Sequence, residues 1–514
     1  MPNVLELTGS SLSLADVVSI ARDPSVTVSP ARTALQVLAG SRQLVEKAVA
    51  RGETIYGINT GFGKLANIRV SADQLDQLQL NLIRSHAAGV GEPLPREIVR
   101  ATMLLRANVL LRPTSGVRPA LVQALVALLN AGIVPLVPEQ GSVGASGDLA
   151  PLSHIAMALI GEGEVLGTRP GAAPRPAAEA LSQAGLGAFR FASKEGISFI
   201  NGTQAQTALL ALLVHDSEVL WRSAIGAAAM SLDALRGTPT PLDPRIHAAR
   251  PHQGQVRAAQ LMRRLLEGSG IRESHRDDDP RVQDAYSLRC TPQVLGAVAD
   301  AIRFARHTAE IELNGSTDNP LVFDTGEVLS GGNFHGQPVA QALDFLGIAL
   351  TTLQAIAERR VERLVNPDLS QGLPAFLTGD PGLSSGYMMV QITAASLVAE
   401  SRAIAMPASI GSIPTDANQE DFVPMGMAAA WKTRRILQNA QRVVAAEFLC
   451  AAQGIDLLRP LRSGLGVEKL HAVVRDRESG VPTLGADRPP APDLARLTDR
   501  LAGGALDPEP DSAC

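Results

Sequence analysis

Arg289 and Asn201 carry side chains that can hold a polar or anionic group in a fixed direction. Arg289, in Tyr286-Ser-Leu-Arg-Cys290, can hold a carboxylate through paired N–H bonds, and Asn201, in Asn201-Gly-Thr-Gln204, can add a directional hydrogen bond. Taken alone, each also has a plainer use, Arg289 in a surface ion pair and Asn201 as a helix cap. Tyr56 opens the segment Tyr56-Gly-Ile-Asn-Thr-Gly-Phe-Gly63, whose glycines suit a movable lid. Its phenol, with a pKa of about 10 in water, is a poor base unless its surroundings lower that value. A further loop runs Glu139-Gln-Gly-Ser-Val-Gly-Ala-Ser-Gly-Asp-Leu-Ala-Pro-Leu-Ser-His154. Gly141, Gly144 and Gly147 let it bend sharply, and Asp148 can cap a helix running to about Ile160 with Pro151 in its first turn. On its own, Ala145-Ser146-Gly147 reads as a glycine-rich entry into that helix.

The segments that must position these residues follow helical spacing. Gln341 to Arg360 has apolar residues placed for a mostly buried helix, and similar stretches are Ala120 to Ala131, Thr207 to Leu235, Val294 to Leu313, Val390 to Ile404 and Met427 to Leu457. They are rich in Ala and Leu and poor in alternating β-branched runs, so the expected fold is all-α: a long central helical bundle with a loop-rich N-terminal active-site region. Gly- and Pro-bearing loops at 56–64, 138–147, 315–320 and 410–424 carry more polar residues than simple connections need, which places the chemistry there. Three regions are expected, 1–200 with the lid and the glycine-rich loop, 201–478 with the long helices, and a proline-rich peripheral tail, 479–514, holding one short helix around Leu494 to Leu501.

The 514 residues include 46 Lys+Arg and 51 Asp+Glu, for a net charge of −5. Lacking a basic block, and with only 11 Phe, 3 Tyr and 2 Trp, the chain offers no platform for nucleic acid. Cys290, Cys450 and Cys514 have neither disulfide nor zinc-ligand spacing, so no metal is expected and a reducing compartment fits. Glu6 and Asp16 stand where an export leader needs basic and apolar residues, and the most apolar runs, Leu121 to Leu129 and Ala342 to Ile356, are read as too short or too polar to span a bilayer. The expectation is a cytoplasmic protein without a membrane partner.

In its setting, GSVGASGDLAPLSH resembles the signature of the aromatic amino acid ammonia-lyases and aminomutases, most closely their histidine-directed members. Further segments match in the family's order from Thr54 to Leu457: YGINTGFG, SHAAGVGEPL, INGTQ, QDAYSLRC, DNPL, GGNFHGQP and ANQED. The resemblance implies that Ala145, Ser146 and Gly147 cyclise with loss of water to 4-methylidene-imidazole-5-one (MIO), with Asp148 supporting its formation and no diffusible cofactor. Glycine at 147 makes the ring closure sterically possible. It further implies Tyr56 as the base, Arg289 and Asn201 on the substrate carboxylate, Gln283 and Tyr286 in the site, Phe334 beside the prosthetic group, and a homotetramer whose sites are shared between subunits.

His86 and Glu420 match positions that suit an imidazole substrate in this family, and Met388 also resembles the histidine enzymes. A carboxylate can pair with an imidazole N–H but is left unpaired against a phenyl ring, a costly outcome when buried. The implied reaction is non-oxidative deamination of L-histidine to trans-urocanate. The loop around Glu420 departs from the histidine pattern, with Gly411 for Asp, Asp416 for Ser, Phe422 for His and Pro424 for Ser; Phe422 removes a donor and acceptor near Glu420. Two other readings remain open at this point: a lyase or 2,3-aminomutase of the same family acting on another aromatic amino acid, told apart by its products, and a silent helical scaffold whose loop never cyclises, told apart by its mass.

Overall fold

The computed structural model describes residues 4–51, 54–169, 171–277 and 279–510; Cys514 lies outside them. Helices take up 57% of it, and strands occur among the described residues only as four two-stranded pairs, so the all-α expectation holds. The chain divides into two compact units, one formed by Met1–Leu212, Arg306–Asp344 and Pro407–Trp431, the other by Leu213–Ala305, Phe345–Met406 and Lys432–Cys514.

In the first unit the helix Arg96–Leu110 is buried at every position from Ile98 to Leu110. It packs against Leu14–Arg22, started by a Ser13/Asp16 capping box, and against Pro119–Asn130, whose proline occupies the first turn. Three further helices touch one another: Leu75–His86, Leu149–Leu159 and Glu195–Ile200. Buried Gln79 pins the first to the third, its Oε1 accepting from the amides of Gly196 (2.9 Å) and Ile197 (3.3 Å). A Cβ at Gly196 would lie 2.8 Å from that oxygen and 3.2 Å from the Gln79 carbonyl, so the missing side chain favours this close approach. This trio brings three chain ends to one place: His86 closes the first helix, Ser146 precedes the second and Asn201 follows the third.

The second unit holds the helix Met388–Ile404 and the short helix Ala491–Ala502 in the proline-rich stretch, where Leu497 and Leu501 are buried. Its central polar contact is a buried bidentate pair, Arg360 Nε to Glu447 Oε1 at 2.5 Å and Nη2 to Oε2 at 2.8 Å, with Ser231 Oγ also donating to Glu447. Removing one partner of such a pair costs about 3–5 kcal/mol, because the other charge is left buried and unpaired. The helix Gln337–Val365 is longer than its core pattern implied and, contrary to the expectation for Ala342 to Ile356, is long and apolar enough to cross a membrane, but 61% of its most apolar stretch is buried inside the protein, the pattern of a core helix.

Candidate active site

The glycine-rich loop is entered from the strand Pro138–Gln140, paired antiparallel with Val90–Pro93, and left through the helix Leu149–Leu159. Between them it is braced from several sides. Met425 N donates to Val143 O (2.9 Å), Gly336 N to Gly144 O (3.0 Å), and Asp148 N to Gly202 O (2.7 Å). Gly147 has φ +74°, and a Cβ there would stand 2.5 Å from the Gly202 nitrogen and nearer still to its carbonyl, so no other residue fits. Ser146 is held at both ends: Asn201 Nδ2 donates to its carbonyl at 2.7 Å, and its hydroxyl donates to Glu420 Oε1.

Asp148 occupies the N-cap position of its helix, yet its side chain does not cap. It turns inward and accepts from Gln206 N (2.9 Å), Gln206 Nε2 (3.2 Å) and Ser142 Oγ (2.9 Å). Fully buried, it has its pKa pushed up to about 6, burial outweighing these hydrogen bonds.

Ser146 faces a cavity of about 890 Å³, also lined by Tyr56, His86, Asn201, Phe334 and Glu420. Ile58 anchors the Tyr56 loop by packing with Val45 and Val322. The phenol accepts a long hydrogen bond from Gly63 N (3.5 Å). Its pKa is raised, first by burial and then by the charges of Asp416 and Glu420, opposite to the lowering that a good base would need. His86 Nδ1 lies 2.8 Å from Leu82 O; a carbonyl only accepts, so Nδ1 carries the proton and Nε2 keeps its lone pair. Burial lowers the His86 pKa, which favours this neutral ring. Glu420 is oriented by Thr415 Oγ1, which donates to its second oxygen.

Four expected residues, Gln283, Tyr286, Arg289 and Met388, belong to the second unit and do not line this cavity. Tyr286 is 71% exposed, the Arg289 guanidinium lies 4.5 Å from its ring centre, and Arg289 Nε is buried without a hydrogen-bond partner among the described residues. Sequence reasoning did not single out Asn319, which lines the cavity and fixes the approach to Phe334 by accepting from Gly331 N (2.7 Å) and donating to Ser330 Oγ (3.0 Å). Its signal lay in the DNPL segment. At the departures, Phe422 is 59% exposed and stacks on His335, whose Nε2 reaches the Phe422 carbonyl at 3.1 Å. An imidazole therefore stands beside this loop from a different chain position. Among the described residues no cluster of His, Cys, Asp or Glu could hold a metal.

A helical fold with a Gly-only bend presenting Ala-Ser-Gly to a cavity agrees with the family-wide comparison: the aromatic amino acid lyase family model matches residues 12–476, and the chain belongs to that family. Among its relatives, the histidine ammonia-lyase of Geobacillus thermodenitrificans is 49% identical, covering 98% of this chain and all of its own, and that of Gloeobacter violaceus is 50% identical over 99% and 98%. Of solved structures, the histidine ammonia-lyase of Trypanosoma cruzi superposes with a TM-score of 0.90 at 43% identity, covering 98% of this chain and 94% of its own. The tyrosine aminomutase of Streptomyces globisporus gives 0.92 at 40%, covering 98% and 97%.

Proposed function

We propose that this protein is a carbon–nitrogen lyase that removes ammonia from L-histidine without oxidation, giving trans-urocanate. The observation that carries this reading is the direct contact between Ser146 and Glu420 in a cavity that also holds Tyr56 and His86. The residues present suit the family's prosthetic group: Ala145 is buried, Gly147 stands where only glycine fits, and Ser146 faces the cavity. Cyclised with loss of two waters, Ala145-Ser146-Gly147 would supply MIO, an electrophile that makes the substrate amine a better leaving group.

The remaining work falls to ordinary side chains. Tyr56 Oη takes the weakly acidic β-proton, acting through its small phenolate fraction. Glu420 accepts the substrate imidazole N–H, while neutral His86 shapes the same cavity and keeps Nε2 as an acceptor for a substrate donor. Asn201 orients the reacting loop and the substrate carboxylate, while Phe334 closes the cavity beside the prosthetic group. Gln283, Tyr286, Arg289 and Met388 are assigned to other subunits of a homotetramer, where Arg289 binds the carboxylate bidentately. The exposure of Tyr286 and the unpartnered Arg289 Nε support this assignment. A cytoplasmic setting suits the free thiols of Cys290 and Cys450.

The test is incubation of purified protein with L-histidine, following ammonia together with the near-ultraviolet absorbance of urocanate. Both signals should rise, and both should vanish in Ser146→Ala, whose mass should also lack the two-water loss. Ammonia or a β-amino acid from tyrosine or phenylalanine instead would keep the reaction class and remove the role given to Glu420. Silence with every aromatic amino acid would leave a scaffold.

A further inference from the structure

Asp416 is a departure from the histidine pattern, and it sits where two loops of the site meet. The short turn Gly63–Leu65 follows Phe62, which offers no side-chain cap, so its first amides need partners from elsewhere. Two adjacent amides of this turn are taken by different groups: Gly63 N donates to the Tyr56 hydroxyl at 3.5 Å, and Lys64 N to Asp416 Oδ2 at 3.0 Å. The approach is so close that a Cβ on Gly63 would lie 2.8 Å from the Asp416 carboxyl carbon. On the other side, Asp416, Ala417 and Asn418 have φ of +48°, +50° and +64°, a left-handed run without glycine that the chain adopts only against a conformational cost. Pairing between Thr415 and Glu420 holds this run, Thr415 N reaching Glu420 O at 2.9 Å and Glu420 N reaching Thr415 O at 3.3 Å.

We propose that Asp416 is a positioning residue, a latch whose carboxylate fastens the Tyr56 loop to the loop that carries Glu420, so that phenol and carboxylate face Ser146 together. The proposal rests on the reading of Tyr56 and Glu420 given above. One bond from an exposed carboxylate to one backbone amide is weak enough to open and close. A deeply buried tie would not serve a loop that must let substrate pass.

Two consequences can be separated. Asp416→Ala removes both the acceptor and the charge, whereas Asp416→Asn keeps an oxygen acceptor and removes only the charge. Lys64 and Arg69 are exposed in the Tyr56 loop, so trypsin reports its opening, with exposed Arg276 in the other unit as internal reference. In Asp416→Ala, cleavage at Lys64 and Arg69 relative to Arg276 should rise about fivefold, the factor expected for one modest hydrogen bond, and kcat for ammonia release should fall. In Asp416→Asn, cleavage should stay near the wild-type rate. Its rise of kcat/KM with pH should begin at lower pH, because of the charges facing Tyr56 only Glu420 remains beside neutral His86. Unchanged loop cleavage in Asp416→Ala would overturn the latch, as would equal acceleration at all three sites, which marks general loosening. If the wild-type protein releases no ammonia from any aromatic amino acid, the reading of the site fails while the cleavage comparison still decides the latch.

Discussion

Replacing Gly147 by Ala tests the site's geometry with a single methyl group. The added carbon would stand 2.5 Å from the Gly202 nitrogen, where ordinary contact begins at 3.4 Å, so one strand of the bend must retreat by about 1 Å. A left-handed φ of +74° costs alanine about 1–2 kcal/mol. Overpacking against a rigid backbone adds about 1–3 kcal/mol. The total, about 2–5 kcal/mol, corresponds to a roughly 30-fold to several-thousand-fold depletion of the bent loop. The retreat also breaks the 2.7 Å bond from Asp148 N to Gly202 O and shifts Ser146 away from Asn201 and Glu420. Intact mass of the purified variant should therefore lack the two-water loss, and ammonia release should fall to background. Gly485→Ala, where an added Cβ meets nothing within 4 Å, should match the wild type in both assays. A Gly147→Ala protein with complete water loss and normal activity would refute the claim that this bend admits only glycine.

Three other outcomes are expected. Tyr56→Phe should retain the two-water loss but lower kcat by about 10²–10⁴, and because the phenol pKa is raised, wild-type kcat/KM should climb through neutral into alkaline pH rather than level off near 7; a flat profile would exclude Tyr56 as the base. Asp148 holds its proton more tightly folded, at about 6 against an ordinary 3.8, so its contribution to stability declines as pH rises through that window, by about 3 kcal/mol in total. Asp148→Asn should show a shallower decline between pH 4 and 6 in urea unfolding, and an unchanged slope would count against the burial argument. Finally, inactive Tyr56→Phe and Arg289→Ala chains, mixed by unfolding and reassembly, should regain part of the activity if sites draw on more than one subunit; no recovery, with tetramers confirmed by light scattering, would return Arg289 to a structural role.

The long helices were legible because their Ala- and Leu-rich faces repeat over many turns: Thr207 to Leu235 became Gln204–Ala234, and Met427 to Leu457 became Gly426–Leu457. Arg96–Leu110 was not, since Arg100, Arg106 and Asn108 interrupt its apolar pattern although all three are buried. Their partners lie far along the chain, as when Asn108 Nδ2 donates to Leu313 O at 2.9 Å and Arg106 Nη1 to the Asn201 carbonyl at 3.1 Å. The same limit governs the site. The motif exposed Tyr56, His86, Ser146, Asn201 and Glu420, but local capping rules placed the Asp148 side chain at its own helix start, whereas its partner Gln206 lies 58 residues away. Asp416 showed only as a changed letter, because the amide it holds is 352 positions distant.

The bracing of Ser146 also has a chronology. Its hydroxyl is held by a carboxylate 274 positions later, and the Val143 carbonyl by the still later amide of Met425. At about 5–20 residues per second, translation delivers Glu420 roughly 15–50 s after Ser146. Throughout that interval the nascent loop lacks the two contacts that complete its setting. Whatever the finished loop does is therefore deferred until Glu420 and Met425 have been made and have left the ribosome, so the site is assembled late rather than as its own motif emerges.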